Sequence, residues 1–203
     1  MKLLAALGLA LTLAACGSPS ADPSSSATPS LSPTGSYTPV AQSELVPATC
    51  EQTGVLEKLK SEYGFQKVAY IPPPENYQPT PDLPIYPVLT NGGPVCVSAN
   101  NEEQIGMYVF WTPDENGAIF DSQVEGWTSA GYTDAQIPGV SSDRHLVKIK
   151  EATDASPDQM VSLTFINNGM WIRIDVFWGP NAKFVGTIDA LRPIIDTAIA
   201  AVN

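Results

Sequence analysis

The sequence predicts an α+β domain: a mostly antiparallel sheet of five or six strands packed with about three helices as a sandwich. Three observations predict it. Two segments near the ends of the folding region repeat apolar residues at helical spacing. The stretch Gln104-Ile105-Gly106-Met107-Tyr108-Val109-Phe110-Trp111 is apolar on both faces, as a covered central strand would be. Asn167-Asn168-Gly169 stands between two β-rich runs, and positive φ is cheap there, so a hairpin is expected.

Thr49-Cys50-Glu51-Gln52 has the spacing of a capping box. Val55, Leu56, Leu59 and Tyr63 follow on one helical face and Gly64 is a fitting stop, which predicts a helix over about 51–63. Residues 65–71 read as a short strand. Residues 72–94 carry many prolines and Asn91-Gly92-Gly93, so a long irregular loop is expected, with Tyr77, Leu83, Ile85 and Tyr86 packing it down in part. A hairpin pairs 95–98 with 104–112 around a turn at Asn100-Asn101. Pro113 to Gly117 forms a turn. Ile119, Phe120, Val124 and Trp127 then predict a second helix over about 117–130. Strands are expected at 146–149, 160–166 and 170–178. The last helix spans about 182–201, with Ile188, Leu191, Ile195, Ala198, Ile199 and Val202 on one side and a kink at Pro193.

The 203 residues carry ten Lys and Arg against 21 Asp and Glu, a formal net charge of -11. The basic residues are scattered and make no stripe for a phosphate backbone, which argues against a nucleic-acid partner. Such acidity also opposes contact with anionic lipid head groups.

Residues 1–15 hold one positive charge, Lys2, and an apolar run from Leu3 to Leu13 that is too short to span a bilayer. These are the features of a secretory signal. The run ends in Leu13-Ala14-Ala15-Cys16, which resembles a bacterial lipobox. That resemblance implies cleavage before Cys16, lipidation of Cys16, and anchoring at the outer face of the cell membrane. Dual acylation makes such an anchor stable where one chain would be marginal. Residues 17–48 are dominated by Ser, Thr, Pro and Ala, and cannot repay their ordering entropy. They are expected to be a disordered tether; about 32 residues span ~30 Å as a coil. The globular domain is then residues 49–203.

Three cysteines are present, Cys16, Cys50 and Cys96. With Cys16 lipidated, an even pair remains in an oxidising compartment, and a Cys50–Cys96 disulfide is the default expectation. The domain loosely resembles small lipoproteins of actinobacterial type. The resemblance rests on a cysteine that opens the first helix, a second that starts the central sheet, and a long closing helix. It transfers no functional residue.

Few residues suggest catalysis. His145 is the only histidine, and it lies at a strand end with no Gly-x-Ser-x-Gly elbow elsewhere. Asp114, Asn116 and Glu125 fall at positions 1, 3 and 12 of a calcium loop, but Ala118 and Ile119 occupy positions that need a ligand and a glycine. No metal or other cofactor is expected. On the strand 170–178, Trp171, Arg173, Asp175 and Phe177 share one face. An aromatic pair with a charged pair between them would suit a stacked sugar or peptide. The same four residues suit an interior, with Trp171 and Phe177 under a helix and Arg173 and Asp175 paired across strands, and this reading is preferred. The expected function is a non-catalytic, lipid-anchored domain that binds an envelope protein or a small ligand. The alternative is a cell-wall-directed hydrolase with a carboxylate pair. A transporter's solute-binding lipoprotein ranks third, because the domain is short for two lobes.

Overall fold

The computed structural model describes residues 47–71, 86, 88, 93–151, 153, 159–180, 182 and 186–203. The expected signal, Cys16, all but the last two residues of the tether, and most of the expected loop 72–94 lie outside these. Tyr86 and Val88 of that loop have helical conformation, and Val88 is buried.

Both arms of the capping box form. The Gln52 amide donates to Thr49 Oγ1 at 3.3 Å, and the Thr49 amide donates to Gln52 Oε1 at 3.3 Å. The helix it opens is not the continuous one expected. A single 3₁₀ turn, Glu51–Thr53, ends at Gly54 with φ of 70°, and α1 (Val55–Tyr63) starts there. Glycine accepts this left-handed conformation without a Cβ penalty. Thr53 Oγ1 seals the break by donating to the Cys50 carbonyl at 2.6 Å.

The expected strand 65–71 shrinks to β1 (Ala69–Tyr70). Phe65 and Val68 go into the core instead of the ladder. β2 (Val95–Asn100) and β3 (Ile105–Pro113) form the expected hairpin, in register from Val95↔Phe110 to Asn100↔Ile105. Its turn uses residues 101–104, and Asn100 Oδ1 accepts the Glu103 amide at 2.9 Å.

Next comes α2 (Ala118–Ser129), then β4 (His145–Lys150), β5 (Gln159–Asn167) and β6 (Met170–Trp178). Between β5 and β6, Asn168 has φ of 48° and Gly169 has φ of 73°, both positive as a tight hairpin requires.

The last helix also differs from expectation. Residues 186 and 187 are not helical, a 3₁₀ turn covers Asp189–Leu191, and α3 (Arg192–Ala200) follows. Pro193 stands in the first turn, where its missing N–H costs nothing, so it opens the helix rather than kinking it.

The six strands pair antiparallel throughout, in the order β1-β2-β3-β6-β5-β4. β3 and β6 are thus central and buried on both faces. On one face, Met107, Val109, Trp111, Ile172, Ile174 and Val176 meet Val55, Leu56 and Leu59 of α1 and Ile194, Ile195 and Ala198 of α3. Each Val, Leu, Ile or Met among them contributes about 1.5–3 kcal/mol on burial. The Trp111 indole also donates to the Ala198 carbonyl at 2.8 Å, pinning α3 to the sheet. On the other face, Phe110, Ile166 and Trp171 meet Phe120 and Trp127 of α2, with Tyr132 and Val88. Helices on both faces make this an α+β sandwich.

The Cys50–Cys96 disulfide is present, with the two Cα atoms 5.4 Å apart. It joins the turn before α1 to β2.

Candidate functional site

The alternation of β6 places Trp171, Arg173, Asp175 and Phe177 on the face that carries α2. Along this row the environment changes from interior to surface. Trp171 is fully buried under α2; its ring lies 5.4 Å from that of Trp127, and its indole donates to Thr164 Oγ1 at 2.7 Å. Arg173 is 7 % exposed. Asp175 and Phe177 are half-buried.

Arg173 and Asp175 do form a pair, but along one strand at i and i+2 rather than across strands. Arg173 Nε donates to Asp175 Oδ1 at 3.0 Å and to Oδ2 at 2.9 Å. The register puts Ser162 of β5 opposite Asp175, and its hydroxyl donates to Oδ1 at 2.5 Å. Arg173 Nη2 donates to the Tyr132 hydroxyl at 2.9 Å. The guanidinium carbon also lies 5.7 Å from the Phe110 ring centre and 5.6 Å from that of Tyr132, within cation–π range. Arg173 Nη1 is buried and has no hydrogen-bond partner. A buried donor left unpaired costs about 1–3 kcal/mol, so this one calls for an explanation.

Burial raises the Tyr132 phenol pKa above its ordinary value, with the Arg173 charge opposing. Tyr132 is therefore a neutral hydroxyl at physiological pH. Lys148 of β4 donates to the Ala130 carbonyl at 2.6 Å, with its ammonium 5.8 Å from the Tyr132 ring centre.

Beyond Asp175 the row ends in an aromatic pair. Tyr108 of β3 stands opposite Asp175, and Gly106 stands opposite Phe177. The Tyr108 and Phe177 rings are 5.5 Å apart and tilted by 39°. The Phe177 ring fills the space above Gly106: a Cβ built there would fall 1.9 Å from a ring carbon. Tyr108, Tyr132 and Ser162 were not singled out from sequence. Counting back from the Asn168-Gly169 turn would have placed Ser162 opposite Asp175. Tyr132 lies in a connection with no periodicity, and nothing in the sequence pointed to it.

The other sequence candidates serve structure. Asp114 caps α2: its carboxylate accepts the Ile119 amide at 3.1 Å and the Phe120 amide at 2.9 Å. Both its oxygens are engaged in holding the start of that helix. His145 opens β4 with its side chain 13 % exposed, and its Nδ1 lies 2.8 Å from Asp134 Oδ1 without hydrogen-bond geometry. Among the described residues, no group of three His, Cys, Asp or Glu is placed to hold a metal ion. None of their helices is long and apolar enough to cross a membrane.

An open groove of about 560 Å³ runs between α1 and α3, away from the β6 face. Its charged walls are self-paired, Lys58 to Glu62 at 3.2 Å and Arg192 to Asp196 at 2.6 Å. Exposed pairs of this kind contribute about 0–1 kcal/mol, and here they leave the four charged side chains of the groove matched to one another.

The class defined by these observations is an α+β sandwich with a buried arginine–aspartate pair beside an aromatic lip. Comparison with family models, curated proteins and solved structures found no match.

Proposed function

We propose that the chain is a lipid-anchored, non-catalytic binding domain displayed at the outer face of a bacterial cell membrane. The observation that carries the binding is Arg173 Nη1, a buried donor with no partner at the head of a polar and aromatic row. The row ends in the half-buried Tyr108 and Phe177. Such a donor gains more from a ligand acceptor than an exposed one, because its desolvation is already spent. The anchor rests on Leu13-Ala14-Ala15-Cys16 and the Ser/Pro/Thr-rich segment behind it.

The hydrolase reading draws no support from this site. That reading needs two carboxyls flanking the scissile bond, and the β6 row supplies one, Asp175, already held by its neighbours. Asp175 Oδ1 accepts from both Ser162 and Arg173, and Oδ2 accepts from Arg173.

The anchor is tested by expressing the full chain in a bacterial host with a clickable palmitate. The label is expected on a mature chain that begins at Cys16, and Cys16→Ser should abolish both label and membrane retention. A labelled chain that keeps residues 1–15, or an unlabelled one, would overturn the anchor.

A further inference from the structure

We propose that the β6 face binds a neutral saccharide, stacked on Tyr108 and Phe177 and hydrogen-bonded by Arg173 and Asp175. This rests on the binding-domain reading above and names its ligand class.

Three observations lead there. The first is adjacency. Tyr108 faces Asp175 across the β3–β6 register, and Phe177 is two residues further along the same face. The aromatic pair and the charged pair therefore form one continuous row, partly exposed at Tyr108, Asp175 and Phe177 and buried at Arg173. Gly106 holds no side chain that would lift the Phe177 ring off the strand. A sugar ring has apolar C–H faces that lie on such rings and a hydroxyl rim that both donates and accepts.

The second is hydrogen-bonding capacity. Arg173 Nη1 offers donors without a partner, and the Asp175 carboxylate retains acceptor capacity beyond its bonds from Arg173 and Ser162. Neighbouring hydroxyls on one ring satisfy both at once. An acyl chain would leave Nη1 unpaired. Because Nη1 is buried, a hydroxyl reaches it only if Tyr132, whose own hydroxyl holds the neighbouring Nη2, turns aside. The Tyr132 backbone is fixed by its amide bond to the Trp127 carbonyl and by the Thr133 bridge to Val147 of β4, so the opening is a rotation of the side chain alone.

The third is charge. Asp175 neutralises Arg173 directly. The whole chain carries a net charge of -11. An anionic ligand would meet Asp175 at contact and a repulsive field at a distance, whereas a neutral one meets neither.

The test uses the full chain with Cys16→Ser, kept unlipidated. The probes are maltotriose, cellotriose and chitotriose, with trigalacturonate and octanoate as contrasts. The readout is the NMR signals of the arginine side-chain N–H groups and of the Tyr108 and Phe177 rings. A neutral trisaccharide is expected to shift both sets, with at least tenfold weaker binding in Phe177→Ala and in Arg173→Lys. Should Arg173→Lys fail to fold, Tyr108→Ala supplies the second variant, since that side chain is half-buried at the surface. Shifts from trigalacturonate alone would overturn the neutral charge of the ligand, and shifts from octanoate alone would overturn the saccharide class; either would leave the binding site standing. No shift from any probe, with the Nη1 protons in contact with a trapped water only, would overturn both.

Discussion

The Tyr70 hydroxyl donates to the Cys50 carbonyl oxygen at 2.6 Å, so the edge strand and the disulfide hold the same residue. That hydroxyl also accepts the Leu56 amide at 3.3 Å and lies 3.3 Å from Thr53 Oγ1. It gathers the broken start of the first helix onto β1.

The disulfide should account for much of this anchorage. It joins positions separated by 46 residues. Closing a loop of that length is worth ~4 kcal/mol on the chain-entropy model. Removing it by Cys50→Ala with Cys96→Ala should lower Tm by roughly 10 °C in a domain of this size. Tyr70→Phe should cost about 1–2 kcal/mol through its lost hydrogen bonds. Thermal unfolding of the two variants and their combination checks this. A double-cysteine variant that melts with the parent would contradict a stabilising bridge.

Alkaline stability should turn on Tyr63. Its hydroxyl donates to the Ala190 carbonyl at 2.5 Å and ties α1 to the turn before α3. Burial, with the neighbouring Glu62 charge, pushes the phenol up to about 12 from 10.0. Below pH 10 the group is protonated in both states and adds no pH dependence. Between the two values the unfolded chain sheds its proton while the folded chain keeps it, so stability falls as pH rises. Tyr70 and Tyr132 are raised by burial as well and act with the same sign. Tyr63→Phe should melt below the parent at pH 9, with the gap narrowing toward pH 11.5. A gap that widens with pH would show the sign to be wrong.

How far the sequence reveals this protein depends on the range of each interaction. The sheet was legible because its signals are local: the Asn168-Gly169 turn, the two-faced apolar run through β3, and the alternation along β6. The element order and the cysteine pairing were legible too. Helix ends were less so. Periodicity alone carried the first helix through residue 54, whereas Gly54 at positive φ breaks it. It likewise extended the last helix back to 182, although Pro193 is well placed to open a helix and poorly placed inside one. The four site residues on β6 were legible as a face, but the division of that face was not. Trp171 is interior and Phe177 half-exposed because α2 covers only one end of the row, which depends on packing between segments far apart in sequence. Tyr132 reaches Arg173 from 41 residues away, and no local pattern encodes it.

Asp114 should be a stability residue and not a metal ligand. It is 6 % exposed and takes two amides at the start of α2, where the helix dipole also favours its charge. Asp114→Ala should cost about 1–2 kcal/mol, and Asp114→Asn less, because an amide oxygen still accepts one bond. Denaturant unfolding of both variants, with and without millimolar calcium, checks the assignment. A calcium-dependent rise in the parent's midpoint that disappears in Asp114→Asn would refute the capping role as the residue's main one.

The contact of Phe177 with Gly106 gives the sharpest test of the proposed surface. Glycine weakens a strand interior by about 0.5–1 kcal/mol, so its presence in a central strand needs a reason. The aromatic ring across the strand supplies one, since it covers the exposed backbone as a cross-strand aromatic does for glycine elsewhere. Gly106 does not have positive φ, so alanine meets no backbone strain there. Its nearest neighbour is the ring, 1.9 Å from the new Cβ. Gly106→Ala should therefore cost about 1–2 kcal/mol in the parent as the ring is displaced. In a Phe177→Ala background the obstacle is gone, and the same substitution should be neutral or stabilising. A double-mutant cycle measured by chemical denaturation gives the coupling, expected at about 1 kcal/mol or more. A coupling near zero would mean that the ring does not rest on Gly106, and the surface assigned to Tyr108 and Phe177 would lose its support.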